Sequence, residues 1–260
     1  MSKNVDVGIN LLALSLRGGR GSACFAPARL QPEKPLKLYD IEASPYCRLV
    51  REVLTELDLD VMILPCPAGG KRFRPEAEKL GGKQLFPLLV DDNTRTVMYE
   101  SADIIDYLGK TYRRRTRGHG PLRALAVASS WLASATLWRA GRGVMGMRAK
   151  PSKAPAQPLE LFSFEASPYS RRVRTRLCEL ELPYLLRNTG KAVWKDIGPP
   201  SFRDRLFKGE LGTSRNRRWL AEHTGQVQVP YLIDPNTGVA MYESDAILSY
   251  LDHTYAASAA

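Results

Sequence analysis

Two stretches of this chain are written in nearly the same letters, and that limits the folds open to it more than any other feature. Pro35-Leu36-Lys37-Leu38 and Glu42-Ala43-Ser44-Pro45-Tyr46 return as Pro158-Leu159-Glu160-Leu161 and Glu165-Ala166-Ser167-Pro168-Tyr169, at an offset of 167 − 44 = 123. Arg48, Val50, Arg51, Leu54, Glu56, Leu57 and Leu59 keep that offset, landing on Arg171, Val173, Arg174, Leu177, Glu179, Leu180 and Leu182. The second half of the unit returns at 243 − 100 = 143, where Asp91, Asn93, Thr94 and Met98-Tyr99-Glu100-Ser101 become Asp234, Asn236, Thr237 and Met241-Tyr242-Glu243-Ser244. The difference, 143 − 123 = 20, means twenty extra residues in the second copy, around Trp194 to Trp219. A repeat of this kind is one structural unit used twice. At roughly 100–200 residues per domain, the 260 residues of the chain suffice for two.

Within a unit the apolar period changes in a readable order. Leu36 to Ile41 is a short strand. A helix follows, with Pro45 in its first turn, where a missing N–H costs nothing, and with Val50, Leu54 and Leu57 on one face. Val61 to Leu64 makes a second strand, followed by a polar, weakly helical stretch. Phe86 to Val90 and Thr96 to Tyr99 form a hairpin across Asp91-Asp92-Asn93-Thr94, and Ser101 caps a last helix carrying Ile104, Ile105 and Leu108. The order βαβαββα is that of a thioredoxin-like α/β domain. The chain then divides into an N-terminal helix and linker (1–34), domain 1 (35–117), a helix with a Pro-rich linker (118–157), and domain 2 (158–260) with an insertion at 190–225.

Two shorter apolar runs, Val7 to Leu16 and Leu125 to Trp138, precede the units. Each leads into an Arg-Gly arm: Leu16-Arg17-Gly18-Gly19-Arg20-Gly21 and Trp138-Arg139-Ala140-Gly141-Arg142-Gly143. A signal peptide is expected once and at the start, not again in mid-chain. The runs therefore read as paired helices packing on the modules or on each other. Neither approaches the roughly 20 apolar residues of a membrane span.

A net charge of +11 allows nucleic acid, an anionic surface or small anionic ligands, and does not choose among them. The basic runs Arg113-Arg114-Arg115 with Arg117, and Arg215 with Arg217-Arg218, lack the interleaved aromatics of a stacking platform, so no nucleic-acid partner is expected. The four cysteines form no CxxC pair and no metal-ligand cluster with the three histidines, so no metal is expected. Without a disulfide framework a reducing, cytoplasmic setting fits.

Three features carry chemistry, each with a plainer structural reading beside it. Ser44-Pro45-Tyr46-Cys47 and Ser167-Pro168-Tyr169-Ser170 lie at a helix start, where free N–H groups favour a thiolate or other anion; Ser before Pro is also an ordinary cap. Phe86-Pro87 and Val229-Pro230 enter a strand, where proline is either at an edge or in a cis bond. Glu100-Ser101 and Glu243-Ser244 precede the last helix, and their serines would meet a carboxylate or simply cap.

Taken together, the Ser-Pro-Tyr turn, Val-Pro-Tyr-Leu-Ile-Asp and Glu-Ser-x-x-Ile-x-x-Tyr-Leu resemble the amino-terminal domain of glutathione S-transferases, and more loosely glutaredoxins. The arrangement is similar to tandem proteins of bacteria and plastids that carry two such domains and no all-helical transferase domain. Gly81 to Pro87 and Asp234 to Gly238 are close to that group. The resemblance implies glutathione as substrate or ligand in each copy. Ser44 and Ser167 would face the sulfur; Phe86, Pro87, Val229 and Pro230 would pair with the cysteinyl part. Glu100, Ser101, Glu243 and Ser244 would hold the γ-glutamyl end, with Tyr46 and Tyr169 lining the turn. Glutaredoxins place their nucleophile where this chain has Ser44, and only Cys47 remains, so a dithiol mechanism is absent from these motifs. Three functions follow as alternatives. One is a transferase or isomerase in which serine stabilises the glutathione thiolate toward an unspecified electrophile or thiol. The second is a non-catalytic sensing or docking module, and the third is monothiol exchange through Cys47. The second substrate and the oligomeric state are open.

Overall fold

The computed structural model describes residues 3–113, 118–141, 143–193, 196 and 214–257. In module 1, β1 (Leu36–Asp40), α2 (Pro45–Glu56), β2 (Val61–Pro65), α3 (Arg74–Gly81), β3 (Leu88–Asp91), β4 (Thr96–Met98) and α4 (Ser101–Leu108) follow in order, the last continuing as a π-helical turn, Gly109–Arg113. Module 2 repeats the series as β7 (Leu159–Ser163), α6 (Pro168–Glu179), β8 (Tyr184–Asn188), α7 (Arg215–Thr224), β9 (Tyr231–Asp234), β10 (Val239–Tyr242) and α8 (Ser244–Tyr255). Helices α1 (Lys3–Leu16) and α5 (Arg123–Ala135) precede the modules, and a small ribbon of β5 (Trp138–Arg139) and β6 (Gly143–Val144) follows α5. The two tandem βαβαββα domains and the helix before each stand as the repeat predicts. One boundary moves. Helix α7 is the counterpart of α3, ending like it on a left-handed glycine, Gly225 for Gly82. The extra residues of the second copy therefore lie before α7 rather than across 190–225, and most of them fall outside the described residues.

The two four-stranded sheets join into one of eight strands, in the order β10-β9-β7-β8-β2-β1-β3-β4. The seam is β2 against β8, antiparallel, with Met62 opposite Leu185, and 62 + 123 = 185. Val61 faces Leu186 and Ile63 faces Tyr184, so each residue meets the equivalents of its own neighbours about a pseudo-two-fold axis. The edge strand of each unit carries unpaired N–H and C=O groups; here each edge satisfies the other. A single buried apolar cluster runs through both units, holding Leu54 and Leu57 with Leu177 and Leu180. Each such side chain contributes about 1.5–3 kcal/mol of burial free energy.

The leading helices are crossed. Helix α1, before module 1, packs on α6 of module 2, while α5, before module 2, packs on α2 of module 1, and the two also pack on each other. Asn10 Nδ2 donates to Pro168 O at 2.9 Å and Ser130 Oγ to Pro45 O at 2.7 Å, so each helix reaches the first residue of the helix it covers. The arms cross as well. Cys24 N donates to Lys191 O at 2.9 Å and Ala166 N to Gly21 O at 3.1 Å, while Ala68 N donates to Met147 O at 2.7 Å. Gly21, at φ +73, lies so close to Glu165 that a Cβ there would stand 2.9 Å from that residue's own Cβ.

Beneath the crossing lies a buried ionic lattice built mainly from charges that the repeat duplicates, with Asp40 answered by Ser163 in the second copy. Arg51 donates through Nε to Glu165 Oε2 at 2.9 Å and through Nη1 to Asp40 at 2.6 and 2.7 Å. Arg174 answers with Nη2 to Glu42 Oε1 at 3.2 Å and Nη1 to Ser163 Oγ at 3.0 Å. Each arginine also holds the carbonyl of its own turn: Arg51 Nη2 donates to Glu42 O at 3.1 Å and Arg174 Nη2 to Glu165 O at 2.9 Å. These side chains are at most 2% exposed. Burial raises Asp40 to about 6 against the pull of Arg51. For Glu165, burial is outweighed by Arg174, Arg51 and Arg48, which hold it down at about 2.

Candidate functional site

Ser44 has extended backbone, φ −71° and ψ 126°, and its Oγ accepts from Cys47 N at 3.3 Å; Ser167 does the same for Ser170 N at 3.2 Å. Both are therefore true N-caps, with the positive end of a helix dipole behind them. Ser44 is half-buried, whereas Ser167 is 2% exposed. Tyr46 and Tyr169 point outward, 40% and 42% exposed, and Tyr46 meets Trp131 of α5 edge-on at 6.2 Å.

Both Phe86-Pro87 and Val229-Pro230 are cis, which settles the choice left open by the sequence. The register brings these bonds to the serine turns. Tyr39 pairs with Leu88 and Phe162 with Tyr231, so the end of β1 or β7 lies beside the start of β3 or β9. Leu89 pairs with Met98, which brings Tyr99 and Glu100 to the same end of the sheet. In each copy the three sequence features thus converge at one end of one sheet.

At the third feature the capping assignment is corrected. The cap is Glu100, not Ser101, and it makes no side-chain capping bond; Glu243 stands likewise before Ser244. Both glutamates are exposed with φ 64° and 69°, a left-handed backbone that costs a non-glycine residue about 1–3 kcal/mol and recurs at ligand sites. The serines behind them, each 2% exposed, are met by arginines. Arg123 Nη2 donates to Ser101 Oγ at 2.7 Å, and Arg172 Nη1 to Ser244 Oγ at 3.1 Å. The two then differ. Arg172 also pairs with Asp245 at 2.6 Å, while Arg123 pairs with no carboxylate among the described residues, and burial lowers its pKa.

Sequence reasoning missed both arginines. A signal was present for Arg172. It replaces Leu49 of the first copy (172 − 49 = 123), and Asp245 replaces Ala102 (245 − 102 = 143), so two apolar positions became charged together. Arg123 lies outside the repeat, where nothing marked it.

Cys47 is fully buried, and its Sγ accepts from Ile41 N at 3.5 Å. Burial pushes its thiol up, and Asp40 adds to the effect. A nucleophilic cysteine needs access and a stabilised thiolate; Cys47 has neither. On native full-length chain, a maleimide should leave Cys47 unmodified until denaturant is added, and a native adduct there by peptide mass would refute the packing role. Cys24, Cys66 and Cys178 are buried too, Cys24 being raised by burial to about 12. Of the basic clusters, Arg215 pairs with Asp60 at 2.8 Å and Arg217 faces Asp196 at 4.0 Å; residues 114–117 lie outside the described residues. His119 meets Asp106 at 2.7 Å, and the His223 ring stacks on Trp219 at 4.2 Å between centroids. Among the described residues no group is placed to hold a metal, and no helix is long and apolar enough to cross a membrane.

The family described as "Glutathione S-transferase, N-terminal domain" matches at residues 38–116 and again at 161–259, together more than half of the chain. Among solved structures, a Bombyx mori glutathione transferase, BmGSTD1, is 29% identical over 33% of this chain and 39% of its own, with a TM-score of 0.30. The same transferase in complex with GTT is 29% identical over 32% and 38%, at 0.29. A trimeric glutathione transferase of Leishmania, TDR1, is 14% identical over 87% of this chain and 68% of its own, at 0.27. The match to the Bombyx enzyme thus spans well under half of that enzyme's length. No curated relative matches.

Proposed function

Because the chain belongs to the glutathione S-transferase N-terminal-domain family through both of its modules, we propose that it binds glutathione, and that module 1 is the binding module. The observation that carries this is the Ser101–Arg123 pair. It offers a hydroxyl and a cation that makes no ion pair among the described residues, though Glu100, Asp103 and Asp106 act on it from nearby, at a helix N-terminus beside the left-handed Glu100. The γ-glutamyl end of glutathione has both a carboxylate for Arg123 and Ser101 and an ammonium for the exposed Glu100. In module 2 the Asp245 carboxylate already occupies Arg172, and Ser167 is buried. The internal acid stands where a ligand carboxylate would go.

The reaction follows from the thiolate. With its sulfur at the α2 terminus, glutathione would be ionised by the helix dipole and by the Ser44 hydroxyl, ready to attack an electrophile. A hydrogen bond to a charged group contributes about 1.5–3 kcal/mol, or roughly 10–100-fold in affinity. Titrating the full chain with glutathione by calorimetry should therefore show one site. Arg123→Leu and Ser101→Ala should each weaken it by about 10-fold or more, and Ser244→Ala should change it little. Absence of binding sinks the glutathione reading; equal losses from Ser101→Ala and Ser244→Ala sink the assignment to module 1. Turnover of 1-chloro-2,4-dinitrobenzene that falls in Ser44→Ala separates a transferase from a sensing module.

A further inference from the structure

Helices α1 and α5 each turn one side inward, onto α6 or α2 and onto each other, and the other side to solvent. A surface helix normally carries polar and charged residues on its outer side. These two do not. Val5, Leu11 and Leu12 on α1, with Leu125, Trp131 and Leu132 on α5, are between 46% and 67% exposed. Glycine and alanine fill the exposed positions between them. The two triplets are related by one offset, since 125 − 5, 131 − 11 and 132 − 12 all equal 120. The patch thus shares the pseudo-two-fold symmetry of the sheet seam.

Its size and chemistry decide what covers it. At roughly 100 Å² for each half-exposed large side chain, the six and the alanines between them offer on the order of 700 Å². That exceeds the ~300–600 Å² patch of an ordinary monomer and approaches the ~800 Å² that each partner brings to a standard interface. An anionic bilayer would call for a rim of free lysine and arginine beside the apolar face. Of the arginines bordering this layer, Arg17, Arg20 and Arg139 are instead paired with Glu52, Glu56 and Asp6, and Arg123, at the start of α5, is turned to Ser101. An uncharged face also lets two chains of +11 meet without cation opposing cation at the contact.

We propose that a second copy of this chain sits face to face on the α1–α5 layer, forming a four-helix layer between two eight-stranded sheets. Both chains use the same patch, so the contact is isologous and closes at two chains. Sedimentation velocity of the full chain at about 50 µM should give the mass of two chains. Leu12→Glu with Leu132→Glu should halve it with circular dichroism unchanged, because both positions are already exposed, while the urea midpoint falls by no more than the stability that pairing adds. If the glutamates disturb folding, Leu12→Ser with Leu132→Ser makes the same test. A wild-type chain that sediments singly, or a dimer that survives both double variants, overturns the proposal. Single chains that float with phosphatidylserine vesicles and lose that in the variant overturn it in favour of lipid.

Discussion

Replacing Glu165 with alanine is expected to lower the unfolding free energy by about 3–5 kcal/mol. The residue accepts from Arg51 at 2.9 Å and lies 3.2 Å from Arg174 and 3.9 Å from Arg48, with 1% of its side chain exposed. Its removal leaves those guanidinium groups buried beside one less anion, and charge stranded out of water is the expensive state. The control is Glu56→Ala. That residue pairs with Arg20 at 2.9 Å, but the arginine is 41% exposed, so solvent screens the pair and its loss should cost no more than about 1 kcal/mol. Urea titrations of both variants decide the matter: similar midpoints would mean that the lattice does not hold the two modules together. Glu42→Ala should behave like Glu165→Ala, because it meets Arg174 from the opposite side of the axis.

The second large effect belongs to a pair of staples. Asp91, at the end of β3, accepts from the hydroxyls of Tyr107 at 2.6 Å and of Tyr112, and from Asn93 Nδ2 at 2.8 Å. Asp234 accepts in the same way from Tyr250, Tyr255 and Asn236. Each aspartate thereby ties the hairpin to the last helix of its module. Asp91→Ala leaves two phenols and an amide without their acceptor. Tyr112 is only 5% exposed, so the expected loss is about 2–4 kcal/mol. Burial would raise both carboxyls, but the tyrosine and asparagine donors outweigh it and hold them below the usual range. A depressed carboxyl contributes stability that is present above its unfolded pKa, about 3.9, and lost as pH falls through the lower folded value. Urea midpoints of the wild type should therefore fall as pH drops below about 4. That part of the acid sensitivity should shrink in Asp91→Ala with Asp234→Ala; an unchanged acid limb would show that the staples are not the groups responsible.

Local chemistry was legible from the residues, and assembly was not. The Ser44 and Ser167 turns, the Phe86-Pro87 and Val229-Pro230 bonds and the Glu-Ser steps are each specified within four residues, and the strand register then had to bring them together. The seam of β2 on β8 joins two like edges, and no pattern inside either strand says that its partner is its own repeat. The lattice left a trace that was readable only afterwards. Arg48 and Arg51 recur as Arg171 and Arg174 on helices whose other repeated residues are mostly apolar, and a charge duplicated beside an apolar face is a sign of a buried partner. The crossing of α1 and α5 had no such trace, because either helix has an apolar side that would fit the module next to it in the chain. Ser101 was misread as a cap because serine is common there; the backbone of Glu100 takes that place instead.

The crossed helices also set an order of events during synthesis. Helix α1 is made long before α6, and its seat there does not exist until residues 168–179 have been polymerised, roughly 150 residues later. At about 5–20 residues per second this is on the order of 10–30 s. For that interval the apolar stripe of α1 has no docking place in the nascent chain, and module 1 waits for α5 to cover α2. A segment made before module 1 is thus among the last to be seated, and this is the interval in which a chaperone would find it.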